Sequence, residues 1–286
     1  MRLRSSRSPQ AATSNVTPPR RPIGELLKLD SVTTEQVARR QAETHRSFGE
    51  TAIELGVASE AQVRLAIEEQ QAFQVLSLQD NSVDPLVVTA FFPEDSLALT
   101  ARNLRAVITA AVLPTGESVR SVGFIGLDTV TELPILVANL AVACSQAGHR
   151  TLLIDGELSA PQQHRLFRLS NRSGLSMLLS NAPPHDIVRP STVPSLSVMT
   201  SGPSVPNVME LLDRNRLANM IEPFYDGYDL LLVDAGAGST ALAAASGLDA
   251  LIIVLRRNLT AASDLRSLVE QAEANGKLVL GSILVD

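Results

Sequence analysis

From residue 118 to the end of the chain, short apolar runs alternate with longer helical segments. The Ala-rich segment 135–148 predicts a helix, whereas the runs 230–233 and 251–255 are apolar throughout, which is typical of strands covered on both faces. Strands are predicted near 121–127, 151–155, 196–200, 229–234, 249–255 and 278–284. This alternation predicts an α/β domain over 118–286, a doubly wound and mostly parallel sheet with its site at the carboxyl ends of the strands.

An internal repeat occupies residues 23–78. The segment 23–27 (Ile-Gly-Glu-Leu-Leu) recurs at 48–52 as Phe-Gly-Glu-Thr-Ala, and each copy leads into a helix. Thr33 or Thr34 is the expected cap of the first helix, and Ser59 that of the second. The repeat predicts a small helical module made of two similar halves.

Two further segments flank this module. Residues 79–117 are predicted to be a linker that contains a helix between about 96 and 112. Residues 1–22 hold five arginines, several serines and prolines, and no acid, which predicts a disordered basic tail. The tail is either solvated without a partner or in peripheral contact with an anionic lipid surface.

Composition narrows the functional classes. The net charge of −6 argues against a dedicated nucleic-acid binder. No apolar run has the length of a membrane span, and the N-terminus lacks the apolar core of a signal peptide. The single cysteine, Cys144, fits a reducing cytoplasm. A cytoplasmic protein is expected, with any membrane association peripheral or through a partner.

The segment between the first predicted strand and its helix lies where a P-loop nucleotide-binding domain cradles phosphate. Such a cradle needs glycines, a lysine and a Ser/Thr that holds Mg²⁺. The chain's only two lysines lie elsewhere, and the loop reads Val130-Thr131-Glu132-Leu133-Pro134. Proline fits the first turn of a helix, and Glu132 would repel a triphosphate. The loop is compatible with folding and poor for phosphate.

Two longer stretches carry a family resemblance. Residues 151–161 with 164–167 and 171–175 form the first, and 201–212, which includes Pro206-Asn207 and Glu210-Leu211-Leu212, forms the second. Over 90–286 the chain resembles the bacterial tyrosine-kinase family of exopolysaccharide synthesis, P-loop proteins that work with chain-length-determinant membrane proteins. Partition and septum-site ATPases, the MinD/ParA type, are the nearest generic alternative. The resemblance implies a P-loop fold of this type.

Set against that family, the acidic motifs are incomplete. The family's Asp-x-Asp-x-Arg reads Asp155-Gly-Glu157-Leu-Ser159, without the arginine, and its Asp-x-x-Pro reads Asp234-Ala-Gly-Ala237, without the proline. In the family these acids help with Mg²⁺ and the attacking hydroxyl. One alternative is that Asp155, Glu157 and Asp234 hold a metal weakly. The other is that Asp155 and Asp234 are strand-end residues satisfied by loop N–H groups.

Other family positions also depart from the pattern. The oligomerisation motif Glu-x-x-Arg-x-x-Arg keeps Arg102 and Arg105 but has Leu99 in place of the acid. The asparagine that contacts adenine in the family corresponds to Val285. A C-terminal tyrosine cluster is absent, and the only two tyrosines are expected to pack at the core edge.

The N-terminal repeat resembles the N-terminal domain of type II secretion ATPases. In several relatives such a module binds cyclic-di-GMP, and the positions that resemble its site are Arg21, Gly24, Arg46, Gly49 and Gly56. A protein–protein docking module is the alternative.

Three functions stay open. The first is a catalytically degenerate, kinase-like partner of a chain-length-determinant protein or of an intact kinase paralogue in exopolysaccharide synthesis. The second is an active tyrosine autokinase or ATPase, in which Asp155, Glu157 and Asp234 would hold Mg²⁺ and the cofactor would be ATP. The third is a cyclic-di-GMP-responsive adaptor. No cofactor and no metal site is assigned from the sequence alone.

Overall fold

A computed structural model describes residues 22–44, 46–72, 75–127, 132–181, 186–212, 216–274 and 276–285. The predicted basic tail up to and including Arg21, and the loop residues Val130 and Thr131, lie outside these described residues.

The repeat folds into four helices, α1 (Ile23–Leu26), α2 (Ser31–Thr44), α3 (Phe48–Glu54) and α4 (Glu60–Ala72). Ser47 and Glu50 form a capping box at α3, and Ser59 and Gln62 exchange the equivalent bonds at α4, which confirms the predicted second cap. The small core that these helices share is built from Val37, Ala52, Ala58 and Val63.

The predicted cap of α2 is wrong. The helix begins at Ser31, and Asp30 accepts a hydrogen bond from the Thr33 backbone N–H at 2.8 Å. The Asp30 carboxylate also accepts the Thr33 hydroxyl at 3.0 Å. Aspartate caps helices as well as serine does, so Thr33 and Thr34 lie inside the first turn.

Residues 75–110 pack onto the α/β domain. A 3₁₀ turn (Val88–Ala90) and helix α5 (Ser96–Ala110) contribute apolar side chains to the core that faces one side of the sheet. Asp95 caps α5 through the Leu97 backbone N–H at 2.9 Å. The predicted helix in this segment is confirmed.

The α/β domain alternates strands and helices as the pattern predicts. Its elements are β1 (Ser121–Gly126), α6 (Leu133–Ser145), β2 (Thr151–Asp155), α7 (Gln163–Leu166), α8 (Leu175–Leu179), β3 (Val188–Pro190), β4 (Leu196–Met199), α9 (Val208–Leu212), α10 (Arg216–Ile221), β5 (Leu230–Ala237), α11 (Ser239–Ala245), β6 (Ala250–Arg256), α12 (Ala262–Ala274) and β7 (Leu278–Val285).

One seven-stranded sheet runs in the order β3-β4-β2-β5-β1-β6-β7. Among the strand pairs of this sheet in the described residues, only β3–β4 is antiparallel, so the predicted fold class is confirmed. The edge strand β3 was not predicted, because it is three residues long and ends in a proline. Apolar clusters cover both faces of the sheet.

Helix α6 lies buried beneath the 3₁₀ turn. Asn139 accepts the Thr89 backbone N–H at 2.8 Å and donates to the Leu86 carbonyl at 3.0 Å, while Gln146 donates to the Thr89 carbonyl at 3.1 Å. These bonds hold the segment that precedes α5 against the middle and the C-terminal end of α6. Cys144 is buried in the same helix, and burial raises the pKa of its thiol to about 12.

Within the described ranges, none of the helices combines the length and the apolar character that a membrane crossing requires.

Candidate functional site

Two buried carboxylates meet at the carboxyl ends of neighbouring strands. Asp155 ends β2, Asp234 lies opposite it on β5, and the two are paired in register. Their exposed fractions are 0% and 1%. The approach of these two acids follows from the parallel pairing of their strands.

Gln163, which the sequence interpretation missed, connects the two acids. Its backbone N–H donates to Asp155 Oδ2 at 2.9 Å. Its side-chain nitrogen donates to Asp234 Oδ2 at 2.8 Å and to the Pro134 carbonyl at 3.0 Å. Asp234 also accepts the Gly236 backbone N–H at 3.3 Å. Both acids thus accept hydrogen bonds from donors of the protein, and the weak metal site stays a prediction.

Two oxygens in this group lack partners among the described residues. Gln163 Oε1 and Asp155 Oδ1 are both buried and accept no hydrogen bond. Both contacts of the Gln163 side-chain nitrogen are to acceptors, so the orientation of the amide is determined and its oxygen must face away from them.

The electrostatics of the pair follow from burial. Burial raises the pKa of Asp155 well above its usual value, and the charge of Asp234 raises it further. Burial also raises the pKa of Asp234 to about 6, although the hydrogen bond from Gln163 opposes this shift. The acids therefore favour their protonated forms more strongly than acids in water do.

Glu157 lies beside the pair, on the loop after β2. Its Oε1 accepts the backbone N–H groups of Ser159 at 2.9 Å and of Ala160 at 3.2 Å. Gly236 packs directly against it, since a Cβ on Gly236 would lie 2.0 Å from Glu157 Oε2. Gly236 also has a φ of +74°, so both the close approach and the backbone favour glycine here.

The start of α6 lines the same cavity as Glu157 and Asp234. Glu132 precedes the helix without capping it through its side chain, Leu133 is 1% exposed, and Pro134 occupies the first turn. Leu133 belongs to the apolar core on that side of the sheet. The part of the predicted phosphate loop that is described therefore packs like ordinary core and helix start.

A cavity of about 340 Å³ opens between these walls. Glu157, Asp234 and Gln162 supply its polar lining, and most of the remaining surface comes from Leu86, Leu133, Pro134, Ile135 and Leu166. None of the described residues that line it is basic. Among all the residues that the structure describes, no cluster of three or more His, Cys, Asp or Glu side chains is arranged to hold a metal ion.

The two arginines of the predicted oligomerisation motif contact their own chain. Arg102 donates to the Pro93 carbonyl, and Arg105 donates to the Ala143 carbonyl on α6 at 3.1 Å. Leu99, on the same helix, is 45% exposed. In this structure the arginines hold α5 against its neighbours.

The tyrosines lie near the other end of the sheet. The Arg120 guanidinium lies 4.9 Å from the centre of the Tyr225 ring and donates to the Tyr228 carbonyl at 2.8 Å. This arrangement agrees with the expected packing at the core edge. Val285, at the end of β7, is fully buried.

In the N-terminal module, Arg46 is engaged by an acid. Its guanidinium contacts Glu54 at 3.0 Å, and Arg40 contacts the same carboxylate at 3.1 Å. Gly24 and Gly49 are buried, and Gly56 follows α3 with a φ of +68°. These glycines therefore have structural roles in the module, and the cyclic-di-GMP site stays a prediction.

Several known proteins are similar to this chain in sequence. No protein-family model matches the chain. CapB of Staphylococcus aureus, described as a tyrosine-protein kinase, is 41% identical over 101 residues, which is 35% of this chain and 44% of CapB. The Escherichia coli tyrosine-protein kinase Etk is 28% identical over 196 residues, 67% of this chain and 27% of Etk. The chain thus spans less than half of either relative.

Solved structures agree with these relatives. The chimerical protein CapA2B2 superposes with a TM-score of 0.62 at 27% identity, over 77% of this chain and 96% of the other. The kinase domain of Escherichia coli Etk gives a TM-score of 0.64 at 25% identity, over 72% and 82%. The septum-site protein MinD of Pyrococcus horikoshii, at 21% identity and a TM-score of 0.51, shares the fold. This chain is therefore a homologue of the bacterial tyrosine-protein kinases of capsule and exopolysaccharide loci, and its α/β domain has the MinD-like P-loop fold of their kinase domains.

Proposed function

We propose that this chain is a kinase-like protein of exopolysaccharide biosynthesis and export that does not transfer phosphate and acts as a regulatory or docking partner. Its partner is a chain-length-determinant membrane protein or an intact kinase of the same kind, which brings it to the inner face of the membrane. The observation that carries the proposal is the start of α6, where Leu133 and Pro134 stand at the position of a phosphate cradle.

The site does not fit a magnesium nucleotide. Pro134 has no backbone N–H to donate, and Leu133 is part of the core. Glu157 and Asp234 line the cavity with no basic side chain among its described lining residues, so a triphosphate would meet uncompensated negative charge. Mg²⁺ is usually bound with substrate phosphates, which have no clamp here.

The scaffold is well supported without a nucleotide. Asn139 and Gln146 tie α6 to the 3₁₀ turn, and Gln163 ties both acids to Pro134. Buried hydrogen bonds are strengthened by the low dielectric constant of the protein interior, so these contacts favour one packed arrangement. The proposal therefore assigns the α/β domain the role of a stable docking surface.

Calorimetric titration of the full chain with Mg-ATP and Mg-ADP tests the catalytic part of the proposal. The kinase domain of Escherichia coli Etk serves as positive control, and circular dichroism verifies that the protein is folded. We expect no binding heat and no phosphotyrosine after incubation with Mg-ATP. Micromolar affinity or self-phosphorylation would overturn the proposal in favour of an active autokinase, with Asp155, Glu157 and Asp234 as metal contacts.

The docking part needs a separate measurement. The native strain is fractionated with and without its chain-length-determinant protein and with and without an intact kinase paralogue. We expect the chain to leave the membrane fraction when its partner is deleted. Unchanged membrane association in every deletion strain would contradict the docking role.

A further inference from the structure

We propose that the outer face of α5 pairs with the same face of a second copy of this chain, antiparallel and about a two-fold axis that passes beside Asn103. This pairing goes beyond the proposed function and is independent of whether the α/β domain binds a nucleotide. Three features of the helix support it: an exposed face without charge, a heptad spacing, and a sequence that complements itself when its direction is reversed.

The outer face of α5 carries no charge. A helix that borders water normally places charged and polar residues on that side, whereas this face of about four turns has no charged one. Leu99 is 45% exposed and Val107 is 51% exposed. Aliphatic side chains exposed on an uncharged face favour contact with another protein surface. The exposed positions of the helix are Ser96, Leu99, Asn103, Ala106, Val107, Thr109 and Ala110.

The charged residues of α5 bind their own chain. Within this helix only Arg102 and Arg105 carry a charge. Arg102 donates to the Pro93 carbonyl, and Arg105 donates to the Ala143 carbonyl at 3.1 Å. The proposed contact therefore does not use the two arginines of the family's oligomerisation motif. Two copies of the face also meet without opposed like charges, whose juxtaposition is costly at an interface.

The exposed residues have the spacing of a seam between two helices. Ser96, Leu99, Asn103, Ala106 and Ala110 alternate at intervals of three and four residues, as the a and d positions of a heptad do. The two alanines allow a close approach of the helix axes. Asn103 takes the central a position, where a single asparagine fixes the register and the number of paired helices at a cost in stability.

The same face complements itself in an antiparallel pair. Asn103 lies midway between Ser96 and Ala110, so a two-fold axis beside it brings together the Asn103 amides of both copies. An amide can both donate and accept, so the two amides can bond to each other. Leu99 of each copy lies opposite Val107 of the other, because both residues are four positions from Asn103. One symmetric contact thus covers both exposed aliphatic side chains twice.

The length of the helix limits the strength of this contact. α5 has 15 residues, which gives a helix about 22 Å long. A single pair of helices of this length buries less surface than a permanent interface does. We therefore expect a monomer–dimer equilibrium with a dissociation constant in the micromolar range.

Sedimentation velocity of the full chain over a concentration series measures this equilibrium. Leu99→Glu places a carboxylate against Val107 at both symmetric contacts and should weaken dimerisation about 100-fold, or about tenfold at each contact. Glutamate is a good helix former and position 99 is exposed, so the fold should be retained, which circular dichroism verifies. Leu259→Glu changes a leucine that is 63% exposed outside α5, and this matched control should dimerise as the wild type does.

An exchange of charges tests the antiparallel register. Val107→Lys protein by itself should also dimerise weakly, because an ammonium then lies against Leu99 at both contacts. A mixture of Leu99→Glu chains with Val107→Lys chains should dimerise at least tenfold more tightly than either variant alone. The mixed pair places the introduced carboxylate against the introduced ammonium and keeps the native contact of Leu99 with Val107 on the other side of the axis.

Wild-type chain that stays monomeric at several hundred micromolar overturns the inference, and so does Leu99→Glu protein that dimerises as tightly as the wild type. A mixture of the two charged variants that associates no better than each alone overturns the antiparallel register and the pairing built on it. Association only with an intact kinase paralogue would also overturn the inference, because the face would then belong to a different partner.

Discussion

The two ends of the β2–β5 strand pair shift the pKa values of their acids in opposite directions. At the amino end, Arg150 contacts Asp229 at 2.6 Å through its guanidinium and at 2.8 Å through its backbone N–H. The hydrogen bond from the Arg150 side chain is the main reason that the pKa of Asp229 is lowered. At the carboxyl end, Asp155 and Asp234 have raised pKa values because both are buried. The charges of acidic neighbours raise these pKa values further, that of Asp234 for Asp155 and that of Glu157 for both.

This difference fixes the sign of each contribution to stability. A lowered carboxyl pKa stabilises the fold above the unfolded value near 3.8, and this contribution is lost as pH falls through the folded pKa of Asp229. A raised carboxyl pKa does the reverse, because its cost develops as pH rises from the unfolded value and is complete above the folded one, about 6 for Asp234. Strand-end acids held at such a cost are typical of functional sites.

Replacing Gln163, at the carboxyl end of the strand pair, is expected to have the largest effect on stability. Gln163→Leu should lower the free energy of unfolding by about 2–4 kcal/mol, because Asp234 and the Pro134 carbonyl both lose a buried donor. Urea denaturation near neutral pH measures the change. Gln79→Leu, on the exposed segment before the 3₁₀ turn, is the control and should stay within about 0.5 kcal/mol of the wild type. A loss as small as that of the control would mean that Gln163 does not hold the pair.

Replacing one buried acid by a neutral residue should remove part of the free-energy cost of holding ionised carboxylates in the interior. Asp155→Asn keeps an oxygen for the Gln163 N–H and is expected to raise the free energy of unfolding by about 1–3 kcal/mol at about pH 8. The gain should shrink toward zero below about pH 3, where the wild-type acid is protonated in both the folded and the unfolded state. Denaturation at several pH values measures it, and a gain independent of pH would contradict the assignment.

At the amino end the corresponding change should have the opposite sign. Asp229→Asn is expected to lower the free energy of unfolding by less than about 1 kcal/mol near neutral pH, since the ion pair is partly exposed and screened by solvent. The loss should vanish at low pH, where the wild-type carboxylate is protonated. Thermal unfolding at several pH values measures the difference, and stabilisation by this substitution would undo the contrast between the two ends.

Arg150→Lys should have the smallest effect. Lysine keeps the positive charge but cannot form the paired contacts of the guanidinium with Asp229. The expected loss is smaller than for Asp229→Asn and should disappear in high salt, because exposed charges are screened there. Thermal unfolding at low and high salt measures it. A larger loss than for Asp229→Asn would show that Arg150 stabilises the fold through contacts other than this pair.

Much of the architecture could be predicted from local pattern. Continuous apolar runs identified the central strands, and the two acids were found by comparison with the acidic motifs of the family that the chain resembles. Failures occurred where the deciding contact is distant or short. Gln163 is 71 residues from Asp234 and lies in no motif, and β3 exists only because it pairs with β4 at the sheet edge. The cap of α2 was misplaced because several residues near the helix start can all cap.

The sequence by itself determined the α/β class, the family resemblance and the absence of a glycine, lysine and hydroxyl cradle before α6, because these depend on residue types and their spacing along the chain. Only the tertiary structure decided what stands in that place. Parallel pairing brings Asp155 against Asp234, and burial raises their pKa values. The fold also carries Gln163 between the two acids and places Leu86 and Leu133 on the wall of the cavity that Asp234 lines. Burial and long-range contacts set the charge and donor requirements of a site, and neither can be read from spacing alone.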